Sequence, residues 1–273
     1  MRRLFLLGLL IASVLDGGAP ARAADLVPTY KARPPAAVVP LGPSWSGWYV
    51  GGNLGYGWGV STDPSLSFTD GIGAGLPAFF AAGGNAFPSL KPSGVLGGGQ
   101  LGYNFQTGPW VWGVVTDFQG ADLRASQTVS TTVPPTTSAT DQTLSAKISW
   151  FGTARAKVGW AWSDSWLLYG TGGLAYGRVS SDLNFACTPG GAQCGGLLVT
   201  GSEQATKVGW TAGAGVDYAL NRNLSLGLEY LYLDLGRDTV TGVQQGLPAL
   251  TVSIDQHFAA HVLRGTLNWR FAQ

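Results

Sequence analysis

From Ser46 onward the chain alternates apolar and polar residues in runs, and the runs are separated by gaps of two kinds. In 257–271, Leu263, Gly265, Leu267, Trp269 and Phe271 take one parity, while Arg264, Thr266, Asn268 and Arg270 take the other. In 147–162, Ala154, Ala156, Val158, Trp160 and Trp162 oppose Thr153, Arg155 and Lys157. In 204–219, Val208, Trp210, Ala212, Ala214, Val216 and Tyr218 oppose Thr211, Gly213, Gly215 and Asp217. In 224–235, Leu224, Leu226, Leu228, Tyr230 and Tyr232 oppose Ser225, Gly227 and Glu229. A period of two belongs to a strand with one apolar face. The remaining strands are expected at 47–62, 93–106, 110–123 and 166–184. The last of these does not sort, because Leu167, Leu168, Tyr169, Leu174 and Tyr176 fall on both parities.

The short gaps are Thr107-Gly108-Pro109, Ser163-Asp164-Ser165 and Asn221-Arg222-Asn223, all turn formers. The long gaps, 63–92, 124–146, 185–203 and 236–256, are rich in Thr, Ser, Pro and Gly and are expected to be loops. Long and short alternate strictly along the chain. Seven gaps separate eight strands, so the expected fold is all-β: an eight-stranded antiparallel up-and-down transmembrane β-barrel. Short turns on one side and long loops on the other predict both termini in the periplasm. Aromatics collect at strand ends. Trp45, Trp48, Phe105, Trp110, Trp112, Trp160, Trp162, Trp166, Tyr218, Trp269 and Phe271 lie beside the short turns or termini. Trp58, Phe118, Trp150, Tyr176, Tyr232 and Phe258 lie toward the long gaps. Two such belts are expected of a membrane-spanning barrel.

Composition supports lipid as one solvent. Hydrophobic residues make up 45% and charged residues only 11% of the chain, under half the roughly 25% of an ordinary soluble domain. The 42 glycines argue against helices, in whose interiors each costs about 1 kcal/mol relative to Ala. Net charge is +1, which leaves no basic footprint for nucleic acid. Residues 1–23 read as a cleaved signal peptide: Arg2 and Arg3, an apolar run from Leu4 to Val14, then Ala21-Arg22-Ala23. Residues 24–45 carry Pro28, Pro34, Pro35, Pro40 and Pro43 and are expected to be a periplasmic linker, with the barrel at 46–273. Cys187 and Cys194 flank a loop sequence in an exported chain, where a short-range disulfide is expected.

The segment Ser46-Gly47-Trp48-Tyr49-Val50-Gly51-Gly52-Asn53-Leu54-Gly55 follows a start at Ala24-Asp25-Leu26 and a Pro-rich linker. With Gly98-Gly99-Gln100-Leu101-Gly102-Tyr103-Asn104, Tyr169-Gly170-Thr171-Gly172-Gly173-Leu174-Ala175-Tyr176, Gly213-Ala214-Gly215-Val216-Asp217-Tyr218 and the stretch from Val262 to Phe271, it resembles a known group. That group is the porin-like outer-membrane immunogenic proteins of alphaproteobacteria, relatives of the OmpA/OmpX-type barrels. The resemblance implies a monomeric or trimeric barrel in the outer membrane of a Gram-negative bacterium. It also implies contact with outer-membrane lipid and with the barrel assembly machinery, which reads a terminal aromatic residue. Here Phe271 is followed by Ala272 and Gln273. Some members of the group are described as haem-binding.

The candidate chemistry lies on the inward parity: Asp117, Arg155, Lys157, Asp217, Glu229, Arg264 and Arg270. An eight-stranded barrel has an interior that side chains can fill. These charges are therefore expected to form a closing network, and a narrow ion path is the alternative. Gly97-Gly98-Gly99-Gln100-Leu101-Gly102 matches G-x-G-x-x-G, but it sits inside a strand with no helix after it. His257 and His261 share a strand face near the long gaps, and a metal or haem contact there is a minor alternative to two interfacial histidines. Ser44 and Ser46 lack nucleophile-elbow spacing. No enzyme activity, cofactor or metal is expected. The expected role is structural or that of a surface antigen, with loops such as 128–143 free to meet a host surface or antibody. A small diffusion porin is the second reading.

Overall fold

A computed structural model describes residues 44–60, 65–70, 90–132, 139–187, 198–244 and 247–271. The signal and most of the linker expected from the sequence lie outside these residues. The strands are β1 (Gly47–Gly59), β2 (Ser65–Asp70), β3 (Ser93–Thr107), β4 (Trp110–Thr132), β5 (Ala139–Ser163), β6 (Trp166–Cys187), β7 (Leu198–Ala219), β8 (Leu224–Gln244) and β9 (Leu247–Arg270). β1 and β3 to β9 pair with their sequence neighbours, and β1 pairs antiparallel with β9. Eight strands thus close into a ring that is paired all round in the half nearer the short turns, which meets the requirement that backbone polar groups in lipid be paired internally. β2 continues the line of β1 along the same edge of β9, pairing with its far half.

The three turns at one end are tight. Thr107 faces Trp110 across Gly108, whose φ of 60° suits a residue without Cβ. Ser163 faces Trp166 in the same way. Asn221 Oδ1 accepts from the backbone N–H of Asn223 and of Leu224, both at 2.8 Å.

The other end departs from the sequence reading. Two of the four long gaps, 124–146 and 236–256, are mostly strand, and 185–203 is strand at both of its described ends. Thr132 pairs with Ala139, Ala186 with Leu198 and Gln244 with Leu247, while the gap at 63–92 contains β2. These segments read as loops because their polarity pattern is inverted. In the half nearer the short turns, outward residues are apolar, among them Leu54, Leu228 and Val208, and inward residues are polar. Beyond that half the outward side chains are mostly hydrophilic, Val243 excepted. Thr128 Oγ1 meets Thr143 Oγ1 at 2.9 Å, Ser126 Oγ meets Ser145 Oγ at 2.9 Å, and Thr241 Oγ1 meets Ser253 Oγ at 3.1 Å. Their inward neighbours Leu144, Ile148, Val179, Leu183, Val240, Val252 and Ile254 are buried in one apolar cluster. The barrel wall thus runs out of the apolar zone into a water-facing extension with its own apolar core.

Two irregularities keep apolar residues inside across this boundary. In β5 the register slips between Ile148 and Trp150. Below it Phe151, Thr153 and Arg155 face in, and above it Ile148, Ala146 and Leu144 do. In β8 the slip lies between Asp234 and Arg237, at Gly236 with φ 81°, whose N–H donates to Asp234 Oδ1 at 2.8 Å. One extra residue exchanges the faces of a strand. Between Thr200 and Trp210, β7 has no register partner on β8, and the Lys207 Nζ–Asp238 Oδ1 ion pair at 2.6 Å spans that stretch.

Parity in β6 is regular: Leu168, Gly170 and Leu174 point out, and Leu167, Tyr169, Thr171 and Ala175 point in. Hydrophobicity failed to sort it because both ends of the interior are apolar. For the same reason two expected belt residues are corrected. Trp45, 1% exposed, sits inside the short-turn mouth, and Phe258, 4% exposed, belongs to the far apolar core. The barrel's ordered packing therefore takes in Ser44 and Trp45, inside the expected linker.

Where polarity inverts, the lipid boundary is expected. Leu228→Arg, outward in the apolar zone, is expected to cost about 2–4 kcal/mol of folding free energy in lipid vesicles. Thr128→Arg, outward in the extension, is expected to change it by less than about 0.5 kcal/mol. Urea titrations of both variants in vesicles check this, and equal costs would dissolve the boundary.

Candidate functional site

The inward charges lie in tiers between the two apolar plugs. The upper tier is a ring of four side chains from four strands. Arg155 on β5 donates through Nη1 to Glu229 Oε1 and through Nη2 to Asp117 Oδ2, both at 2.8 Å. Arg264 on β9 donates through Nη2 to Asp117 Oδ2 at 2.8 Å and to Glu229 Oε2 at 2.6 Å, and through Nε to Glu229 Oε2 at 2.8 Å. Each carboxylate thereby bridges both guanidiniums. Two cations face two anions with side-chain exposures of 4% or less. The strands explain the placement. Glu229 and Arg264 are direct register partners across β8 and β9. Asp117 and Arg155 come from neighbouring strands β4 and β5, one inward position apart. The ring therefore ties one wall of the barrel to the other. Tyr169 OH adds a hydrogen bond to Glu229 Oε1 at 3.3 Å, and Thr153 Oγ1 accepts from Arg155 Nε at 2.9 Å.

The next tier is a single pair, Lys157 Nζ to Asp217 Oδ2 at 2.8 Å. The ammonium lies 3.6 Å from the Tyr169 ring centre and 5.9 Å from that of Tyr49, close enough for cation–π attraction. Both rings need bare backbone opposite them. A Cβ on Gly102 would fall 2.3 Å from the Tyr49 ring, and one on Gly215 would fall 2.5 Å from the Tyr169 ring. These tyrosines were not singled out from the sequence as inward residues. The signal available was the pairing of an aromatic with glycine at a neighbouring inward position.

Arg270 stands apart from the carboxylates. It donates to Ser44 O at 2.8 Å and Asn221 O at 3.3 Å, and its guanidinium lies 4.5 Å from the Trp45 ring. Trp45 N in turn donates to Gln106 Oε1 at 2.8 Å. Arg270 therefore fastens the segment entering β1 and the β7–β8 turn across the barrel mouth, with Trp45, Val111, Leu167 and Ala219 packed there. Six of the seven predicted charges thus come together in two groups, and the seventh does a different job. Gln100 Nε2 joins β3 to β9 through Asn268 Oδ1 at 2.6 Å.

The histidines share a face but not a site. His261 Nδ1 and Tyr230 OH lie 2.6 Å apart, and His257 Nε2 lies 2.9 Å from Asp234 Oδ1. Four residues of strand separate them by about 13 Å, too far to hold one ion. Among the described residues no three His, Cys, Asp or Glu side chains cluster as metal ligands. Gly97–Gly102 runs within β3, so G-x-G-x-x-G here is strand backbone. Cys187 ends β6, and Cys194 lies outside the described residues, as does the disulfide expected between them.

Comparison with known proteins bears on the chain as a whole. Residues 32–271 match the family model described as the outer membrane protein beta-barrel domain. The 31 kDa outer-membrane immunogenic protein of Brucella melitensis is 35% identical over 252 residues, covering 92% of this chain and 93% of the relative. The 22 kDa outer membrane protein of Rhizobium leguminosarum is 30% identical over 203 residues, covering 73% and 68%. Among solved structures, Neisserial surface protein A aligns with a TM-score of 0.41 at 15% identity, covering 83% of this chain and 98% of that one.

The ring of four is expected to behave as a unit. Glu229→Gln leaves two buried guanidiniums against one carboxylate and is expected to destabilise the barrel by about 3–5 kcal/mol. Glu229→Leu combined with Arg264→Met removes one charge of each sign, leaves Arg155 paired with Asp117, and is expected to cost less. Denaturant midpoints of the two variants decide it; a larger loss in the double variant would mean that the arginine acts on its own.

Proposed function

This chain belongs to the outer membrane protein β-barrel family and is an integral β-barrel of a Gram-negative outer membrane, and we propose that it serves there as a sealed, surface-displaying structural barrel. The observation that carries this reading is the layered filling of the lumen. From the short-turn end come Trp45 with Arg270, then Lys157–Asp217, then the Arg155–Asp117–Arg264–Glu229 ring, then the apolar core of Leu123, Phe151, Leu231 and Leu233. A hydrated ion would have to displace a net-neutral charge ring, in which each carboxylate bridges both guanidiniums, and then cross an apolar layer. The first costs several kcal/mol once a partner is lost, and the second offers only the scattered neutral side chains Gln119, Ser181 and Gln256 in place of the ion's water.

The short turns face the periplasm in this reading, and the strand extensions stand outside the cell. A paired extension with an apolar core carries the strand ends at Thr132, Ala139, Ala186 and Leu198 at a fixed height. It thus offers antibodies or a host surface a stiffer target than free loops would. The outward face of the lower zone meets outer-membrane lipid, and Phe271, 50% exposed, is available to the barrel assembly machinery. His257 and His261, engaged with Asp234 and Tyr230, hold the outer aromatic rim together. The reading includes no catalytic role and no cofactor.

Single-channel recording of the full-length protein in planar bilayers tests the seal. The expected record is flat up to ordinary holding potentials. Reproducible unitary steps would overturn the sealed reading in favour of a small diffusion porin.

A further inference from the structure

Outward cations gather at one level of the barrel, on three adjacent strands. Arg124 on β4 faces Lys147 on β5 in direct register, and Arg178 on β6 faces Trp150 on β5. Lys91 is exposed two residues before Ser93, which is the register partner of Arg124. This level is the one at which the outward face turns from apolar to polar. Beside it runs an outward aromatic row, with Trp150 in direct register with Arg178. Phe118 stacks on Trp150 at 5.5 Å and 29°, and Trp150 meets Tyr176 edge-on at 6.3 Å.

The acids nearby do not cancel these cations. Arg124 is paired with Asp122, and its side chain remains 63% exposed. Arg178 donates to the neutral amide oxygen of Gln204 at 2.7 Å, and Asp182 accepts from Ser202 at 2.7 Å. Lys147 has no ion pair among the described residues. Four cations against Asp122, Asp182 and Glu203 leave the patch positive. The opposite side of the barrel at this level is matched: Arg237 neighbours His257, which pairs with Asp234, and Asp255 accepts from Thr239.

We infer that this β4–β6 face binds the phosphorylated glycolipid headgroup of the outer leaflet, with Arg124, Lys147 and Arg178 on its phosphates and the aromatic row along its sugar and acyl boundary. Guanidinium forks match phosphate oxygens in pairs, and Trp and Tyr settle at the headgroup level. A soluble phosphate would meet only exposed cations, which salt screens over about 10 Å. A lipid phosphate is delivered to the same plane by its acyl chains. The inference rests on the orientation proposed above, with the hairpin extensions outside the cell.

The test uses the full-length protein folded in detergent micelles and native mass spectrometry with bis-phosphorylated lipid A. Retention is expected to fall roughly tenfold or more when Arg124, Lys147 and Arg178 are all changed to Gln, since each interfacial cation contributes on the order of 1 kcal/mol. Dephosphorylated lipid A is expected to show the same loss on the unchanged protein, and Arg237→Gln to show none. Heat-modifiable gel migration confirms that each variant is folded. Equal retention of the two lipid A forms, or an unchanged triple variant, would overturn the inference. So would displacement by millimolar inorganic phosphate, which would mark a soluble-anion site. An epitope inserted between Thr132 and Ala139 reads the orientation separately on intact cells, so a failure of orientation is distinguishable from a failure of binding.

Discussion

A closed strand ring leaves its inward side chains nowhere to go, and the Arg155–Asp117–Arg264–Glu229 ring is how this barrel meets that constraint. Every inward polar group has to be satisfied inside a space too narrow for bulk water. A lone ion pair would leave lone pairs and N–H groups facing apolar neighbours. Letting each carboxylate bridge two guanidiniums spends more of that hydrogen-bonding capacity within one layer. The geometry also ties distant parts of the chain, since Asp117 and Arg264 lie 147 residues apart. Its net contribution to stability is not given by counting bonds, because desolvating four charges offsets much of their attraction. What the ring does supply is specificity. Slipping β4, β5, β8 or β9 by one residue would send its charge into the outward apolar face.

The same constraint explains which parts of the fold were readable beforehand. In the halves of β5, β7, β8 and β9 nearest the short turns, lipid outside and polar filling inside give each face one chemical character. There parity alone assigned Arg155, Lys157, Asp217, Glu229 and Arg264 to the interior. In β6 the rule failed, because Leu167 and Tyr169 serve the interior plug while Leu168 and Leu174 serve the outer wall. Parity cannot separate faces of equal hydrophobicity.

The extensions were illegible for a different reason. Thr128, Thr143 and Ser145 look like loop residues when the apolar face is presumed to point outward. They are strand residues on a water-facing surface whose partners, Leu144 and Ile148, point into a core. The period of two persists, but its sign reverses, and the bulges at Ile148–Trp150 and at Gly236 shift its phase. A pattern that changes sign and phase within four residues has no single template. Arg270 was legible as inward but not in role, since its partners are backbone carbonyls, which carry no sequence signature.

Inversion of the outward face also separates two kinds of work along one wall. The lower zone is held by lipid and by tiered charges. The upper zone is held as a soluble β-protein is, by apolar side chains against one another with hydroxyl ladders outside. A wall of continuous strands transmits the rigidity of the first to the second, because each strand from β4 to β9 runs through both. Height above the membrane is then set by strand length rather than by loop entropy. The boundary between the zones is fixed twice, by Trp58, Phe118 and Trp150 and by Arg124, Lys147 and Arg178. Sliding the barrel along the membrane normal would bury a cation or hydrate an aromatic ring, and either cost opposes the movement.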